Sequence, residues 1–166
     1  MDVQAFNSLQ EQEARELLAS CCVAERWIEG VLSRRPFTDS ADLRDTADAV
    51  WSTMGEAELL EAFEGHPKIG DVNSLKKKYA STAGLAAHEQ SSVGSASEDV
   101  IQRLADGNAA YEERFGFIFI VCATGKSAQE MCELLEARLH NERDEELRIA
   151  AEEQRKILQL RLEKLP

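Results

Sequence analysis

Positive charge is what this chain has least of: 19 Lys and Arg stand against 31 Asp and Glu, a formal net charge of −12. Nucleic acid and anionic membrane surfaces both require a cationic face, so neither is an expected partner. Cysteine is sparse as well. Cys21 and Cys22 are vicinal, Cys122 and Cys132 stand alone, and no CxxC pair occurs. That pattern excludes a disulfide scaffold and reads as reduced, buried thiols. Long apolar runs are missing, because the longest, Phe117 to Ala123, is far too short to span a bilayer. HExxH, GxGxxG, P-loop and Ser or Cys nucleophile motifs are all absent, as are internal repeats and low-complexity tracts. The first residues lack a basic-then-apolar leader signature, and Leu165-Pro166 is no peroxisomal tripeptide. A cytoplasmic protein is the expectation.

What is present is a sequence of helices. With 166 residues, 43% hydrophobic and 30% charged, the chain can bury roughly 70% of its unfolded surface in one domain. Amphipathic patterning predicts helices over Asn7 to Ala19, Val23 to Arg34, Ser40 to Thr53 and Glu56 to Glu64. Leu43, Ala47, Val50 and Trp51 lie at the spacing of one buried face. A short basic helix over Asn73 to Tyr79 and a turn or two around Leu85 to Gln90 follow. Ser95 and Glu98 have capping-box spacing and open a helix to about Arg114, which Phe115-Gly116 breaks. Phe117 to Ala123 is β-branched and aromatic but has no partner strand, so it reads as a buried extended connector. Helices over Ser127 to His140 and Asn141 to Lys164 complete the chain. The expectation is an all-α, single-domain bundle of about eight helices spanning 1–166, with a short buried extended segment near 117–123.

Chemistry concentrates in a few places. Gly65 stands where a helix C-cap glycine belongs, and Pro67 blocks continuation, so His66 is presented from a stiff helix exit. It reads either as a cap of the preceding helix or as a general acid/base near neutral pH. Glu89-Gln90 follows. A carboxylate approaching a histidine can set its tautomer or raise its pKa, and can repel a substrate carboxylate; the glutamine offers a donor and an acceptor. His140, beside Asn141, reads as a cap and His88 as exposed. On the last helix Leu147, Ala150, Ile157, Leu158 and Leu165 form an apolar stripe, with Arg161 and Gln154 near its middle. An arginine there is costly unless it meets an anion or snorkels. It is either an internal ion pair, a snorkelling side chain, or a cation reaching a cavity for an anionic ligand. Arg138 lies toward the edge of its own stripe and reads as a structural ion-pair or cap residue.

Taken together, Arg35-Pro36-Phe37, His66-Pro67-Lys68-Ile69-Gly70, Glu89-Gln90, Phe115-Gly116-Phe117 running into Cys122-Ala123, and Ile157 to Leu162 with Arg161 resemble one family. It is the 2-oxo-4-hydroxy-4-carboxy-5-ureidoimidazoline (OHCU) decarboxylase family of purine catabolism, and the similarity runs in order through nearly the whole chain. The resemblance implies an all-helical, cofactor-free and metal-free enzyme, usually a homodimer, that converts a small-molecule substrate, OHCU, to (S)-allantoin and carbon dioxide. By motif match, His66 is the catalytic acid/base, and Glu89 assists it or presses on the departing carboxylate. Pro67 and Gln90 line the pocket, Arg161 orients the anionic or ureido end, and backbone at Phe119, Ile120 and Ala123 binds carbonyl groups. One departure stands out. The family often has a serine three residues before the glutamate, where this chain has Ala86, so a hydroxyl contact would have to come from Ser81, Thr82 or a local shift.

Two other readings compete. A non-catalytic helical ligand-binding module would show an exposed apolar groove and no turnover. A metal-dependent hydrolase using His66, His88 and Glu89 would carry bound metal on purification.

Overall fold

The computed structural model describes residues 1–66 and 94–166, with the backbone alone at 94–97. The expected helix over Asn73 to Tyr79 and the turn around Leu85 to Gln90 lie outside the described residues. Those that are described form eight helices and no strand. They are α1 (Val3–Ser8), α2 (Glu11–Cys21), α3 (Glu25–Leu32), α4 (Ser40–Trp51), α5 (Glu56–Glu64), α6 (Gly94–Phe115), α7 (Ala128–Arg138) and α8 (Arg143–Glu163). Among the described residues, no helix is long and apolar enough to cross a membrane. The chain divides into two compact units, Met1–His66 with Ile149–Pro166, and Pro67–Arg148.

In the first unit α2 packs on α3 and α3 on α4. The anticipated faces are the buried ones: Trp27, Ile28, Val31 and Leu32 on α3, and Leu43, Ala47, Val50 and Trp51 on α4. Each tryptophan also finds a partner for its indole N–H, as a buried Trp requires. Trp27 donates to the Ala47 carbonyl at 3.1 Å and Trp51 to the Ala151 carbonyl at 3.1 Å. Asp39 caps α4 by accepting from the Asp42 N–H at 2.8 Å.

The first expected helix is in fact two, because Leu9 and Gln10 are extended between α1 and α2. Asn7, where that single helix was expected to begin, lies inside α1 and binds a distant segment. Its side chain donates to the Phe37 carbonyl and accepts from the Phe37 N–H, both at 2.8 Å. Arg35 donates to the carbonyls of Phe6 (3.0 Å) and Leu9 (2.9 Å), supplying a cation where α1 ends. The Arg35-Pro36-Phe37 motif, with its cis Arg35–Pro36 peptide, is thus the clamp that holds the α3–α4 connection against α1.

The second unit contains α6, α7 and the first residues of α8, with α6 packed on α7. Gly116, at φ +80°, ends α6 in the left-handed region that glycine tolerates, as anticipated for the break there. Residues 117–123 then run without helix or strand, with Phe117, Ile120 and Cys122 buried. The Ser127 hydroxyl accepts from the Glu130 N–H at 3.1 Å and starts α7.

Candidate active site

His66 immediately follows Gly65, the C-cap of α5. Gly65 is not left-handed (φ −72°). A Cβ there would lie 2.6 Å from Val23 Cγ2, so close approach is the reason for glycine. The His66 N–H bonds the Phe63 carbonyl at 3.1 Å, closing the last turn of α5. The helix-capping reading is therefore met by the His66 backbone, and the ring is left for another task.

The half-buried ring reaches α8, where its Nε2 is hydrogen-bonded to Oε1 of Gln154. Gln154 is 1% exposed and lies between Ala150 and Leu158, both wholly buried, one turn away on either side. A buried carboxamide in that stripe is costly without a partner, and the imidazole is that partner. The mid-stripe placement of Gln154 was legible from helical counting. Its partner was not, since the two residues are 88 apart in sequence.

Arg161 stands seven residues beyond Gln154, on the same face and about 10 Å further along the axis. It is half-buried and donates to the Cys21 carbonyl at 3.2 Å, the last residue of α2. Among the described residues it makes no ion pair. It thus carries positive charge to a helix C-terminus, using one of the five N–H groups of a guanidinium. Of the anticipated stripe, Ala150, Leu158 and Leu165 are buried, while Leu147 and Ile157 are half-buried.

In the second unit, Ile120 is buried and Phe119 and Ala123 are half-buried. Three carbonyls of this segment are engaged. Ile120 accepts from Arg138 at 2.8 Å, Cys122 from the Lys126 ammonium at 2.8 Å, and Ala123 from the Lys126 N–H at 3.0 Å. Among the described residues no acceptor is found for the N–H groups of Phe119, Ile120 or Ala123. Extended backbone of this kind has donors to offer a ligand carbonyl.

Arg138 is only 7% exposed, further inside than its edge position on α7 implied. It pairs with Glu146, which is wholly buried, through Nε at 2.6 Å and also through Nη2. Glu146 further accepts from the Tyr111 hydroxyl at 2.5 Å and from Asn141 Nδ2 at 2.9 Å. Burial first, then the Glu146 carboxylate, push the Tyr111 hydroxyl well above the usual phenol range. The Arg138 guanidinium also lies 4.6 Å from the Phe119 ring centroid. The anticipated structural ion pair is present, and Glu146, not singled out from the sequence, is its core. Glu146 sits four residues before Ala150, so the same helical counting would have found it. His140 lies exposed beyond α7, its N–H bonded to the Ala137 carbonyl.

Pro67, Glu89 and Gln90 of the expected site, together with Lys68, Ala86 and His88, lie outside the described residues.

Comparison with known proteins supplies the rest. A model of the OHCU decarboxylase family matches residues 7–163. The chain is 32% identical over 166 residues to the 2-oxo-4-hydroxy-4-carboxy-5-ureidoimidazoline decarboxylase of Amia calva, covering 98% of this chain and 93% of that protein. It is 32% identical over 145 residues to the uric acid degradation bifunctional protein of Arabidopsis thaliana, covering 87% of this chain but only 45% of that protein's length. Among solved structures, a crystal structure of OHCU decarboxylase in the presence of (S)-allantoin superposes with a TM-score of 0.71 at 31% identity, covering 94% of this chain and 97% of the other.

Proposed function

The chain belongs to the OHCU decarboxylase family, and we propose that it converts OHCU to (S)-allantoin and carbon dioxide in urate degradation, as a cofactor-independent carbon–carbon lyase. The observation that carries this reading is the family match over residues 7–163, with His66 held by its ring and its backbone inside that span. The whole chain, 1–166, is taken as one domain of that family.

The reaction asks little of a protein beyond proton management. The scissile carboxylate sits on a carbon that bears a hydroxyl and adjoins an imine-like carbon. As carbon dioxide leaves, its bonding electron pair forms a double bond to that neighbouring carbon, and the carbon–nitrogen π pair moves onto nitrogen, which takes up a proton. The resulting enol gives up its hydroxyl proton and receives one at the neighbouring ring carbon, on a single face. His66 is the residue that moves these protons, a role that typically contributes ~10²–10⁴-fold. Glu89 assists it or disfavours the bound carboxylate. Arg161 holds the anionic or ureido end, Pro67 and Gln90 line the pocket, and the N–H groups of Phe119, Ile120 and Ala123 meet ligand carbonyls. That these three N–H groups lack acceptors among the described residues supports their part.

Decay of freshly generated OHCU, followed by circular dichroism, tests the reading. The uncatalysed route yields racemic product, so the protein should produce a growing optical signal. His66→Asn should lower its rate by about 10²–10⁴-fold with the fold intact; undiminished stereospecific turnover in that variant would sink the assignment.

A homodimer is the assembly that the family resemblance implies, checked by sedimentation equilibrium. A cytoplasmic setting accords with four free, buried cysteines and is checked by cell fractionation.

A further inference from the structure

We propose that Gln154 is a positioning residue that holds His66 as its Nε2–H tautomer, so that Nδ1 is the nitrogen that takes up and returns the substrate's proton. The proposal deepens the decarboxylase reading and rests on it for the word substrate, but its statement about the ring stands on geometry alone.

A carboxamide oxygen can only accept. With Oε1 of Gln154 placed against Nε2 of His66, the neutral imidazole that bonds this oxygen carries its proton on Nε2, and its lone pair is then on Nδ1. When Nδ1 gains a proton, both ring nitrogens are donors and Nε2 still donates to the same oxygen. The ring can therefore pass through a full protonation cycle without breaking its bond to α8 or changing orientation. Gln154 suits this task because burial restricts it. It is 1% exposed, between two wholly buried neighbours on its stripe, so it has no solvent to turn toward. A neutral acceptor also sets the tautomer without bringing a second carboxylate to a site meant for an anionic substrate, which an aspartate or glutamate at this position would do.

The test uses the full-length protein with ¹⁵N-labelled histidine. Long-range ¹H–¹⁵N correlation spectra, recorded where His66 is neutral and assigned by difference from His66→Asn, should show a protonated Nε2 and an unprotonated Nδ1. Gln154→Leu should give a mixture of tautomers. It should lower kcat about tenfold with KM within about twofold, a smaller loss than the ~10²–10⁴-fold expected for removing the acid/base itself. Gln154→Glu, which keeps an acceptor in place, should restore the Nε2–H signature. A wild-type spectrum with the proton on Nδ1, or a Gln154→Leu spectrum unchanged from wild type, overturns the proposal. The spectra need no turnover, so a protein that shows the expected tautomer yet leaves OHCU untouched refutes the decarboxylase reading and not the role of Gln154.

Discussion

The two units each contain a polar group in an apolar setting, and they treat it in opposite ways. In the second unit Glu146 is wholly buried and surrounded by donors, from Arg138, Tyr111 and Asn141. A buried carboxylate so fully satisfied is static, and its use is to brace backbone: Arg138, held by Glu146, grips the Ile120 carbonyl. In the first unit the buried group is a neutral amide and its partner is a half-buried imidazole. That bond leaves the ring able to gain and lose a proton. Saturation makes a strut, whereas a bond from one of two distinct ring nitrogens to a neutral acceptor makes a tool.

Breaking each cluster should therefore damage different properties. Glu146→Ala leaves a buried guanidinium without its charge partner and should cost about 3–5 kcal/mol in urea denaturation. His66→Asn, which removes most of the turnover, strands only the neutral Gln154 carboxamide and should shift the same denaturation curve by a smaller amount, about 1–3 kcal/mol. Comparable losses of stability in the two variants would erase the distinction between strut and tool.

A smaller effect tests how rigidly His66 is presented. Gly65→Ala forces a Cβ to 2.6 Å from Val23 Cγ2, but Val23 is 40% exposed and can yield. The expected cost is about 1 kcal/mol, at the low end for overpacking. In a Val23→Ala background the same substitution should become stabilising by about 0.4–1 kcal/mol, because φ −72° suits alanine and the unfolded chain loses freedom. A cycle with no such change of sign would show that Val23 is not what demands glycine here.

The smallest effect concerns two buried thiols near the end of α2. Burial pushes the Cys21 and Cys22 thiols up from 9.0 to about 11, with Arg161 opposing only weakly. The folded state thus holds these protons more tightly than the unfolded one. Their contribution to stability is fully present below pH about 9 and is lost as pH rises toward about 11. Urea midpoints should fall across that window, and a Cys21→Ala/Cys22→Ala variant should show a flatter alkaline limb.

Much of this was legible in the residues. α4 begins at Ser40 and α5 runs from Glu56 to Glu64 as the spacing and flanking residues predicted, because helix periodicity and end signals act within a few residues. The break at Gly116 and the cap at Ser127 are equally local. Asn7 shows where local reading stops. Its composition suits an N-cap, but Phe37, thirty residues away, offers it two backbone bonds, and the first helix is divided accordingly.

By itself the sequence determined the all-α class, most of the buried faces, the family, and the prominence of His66 and Arg161. These depend on periodicity, on ordered motifs and on backbone restrictions that neighbouring residues impose. Only the tertiary structure decided that Gln154 meets the His66 ring, that Arg161 turns to the end of α2, and that Arg138 is sunk beside Glu146. A buried polar side chain announces in its own helix that it needs a partner. Which partner it finds depends on which distant segment packing brings within hydrogen-bond reach.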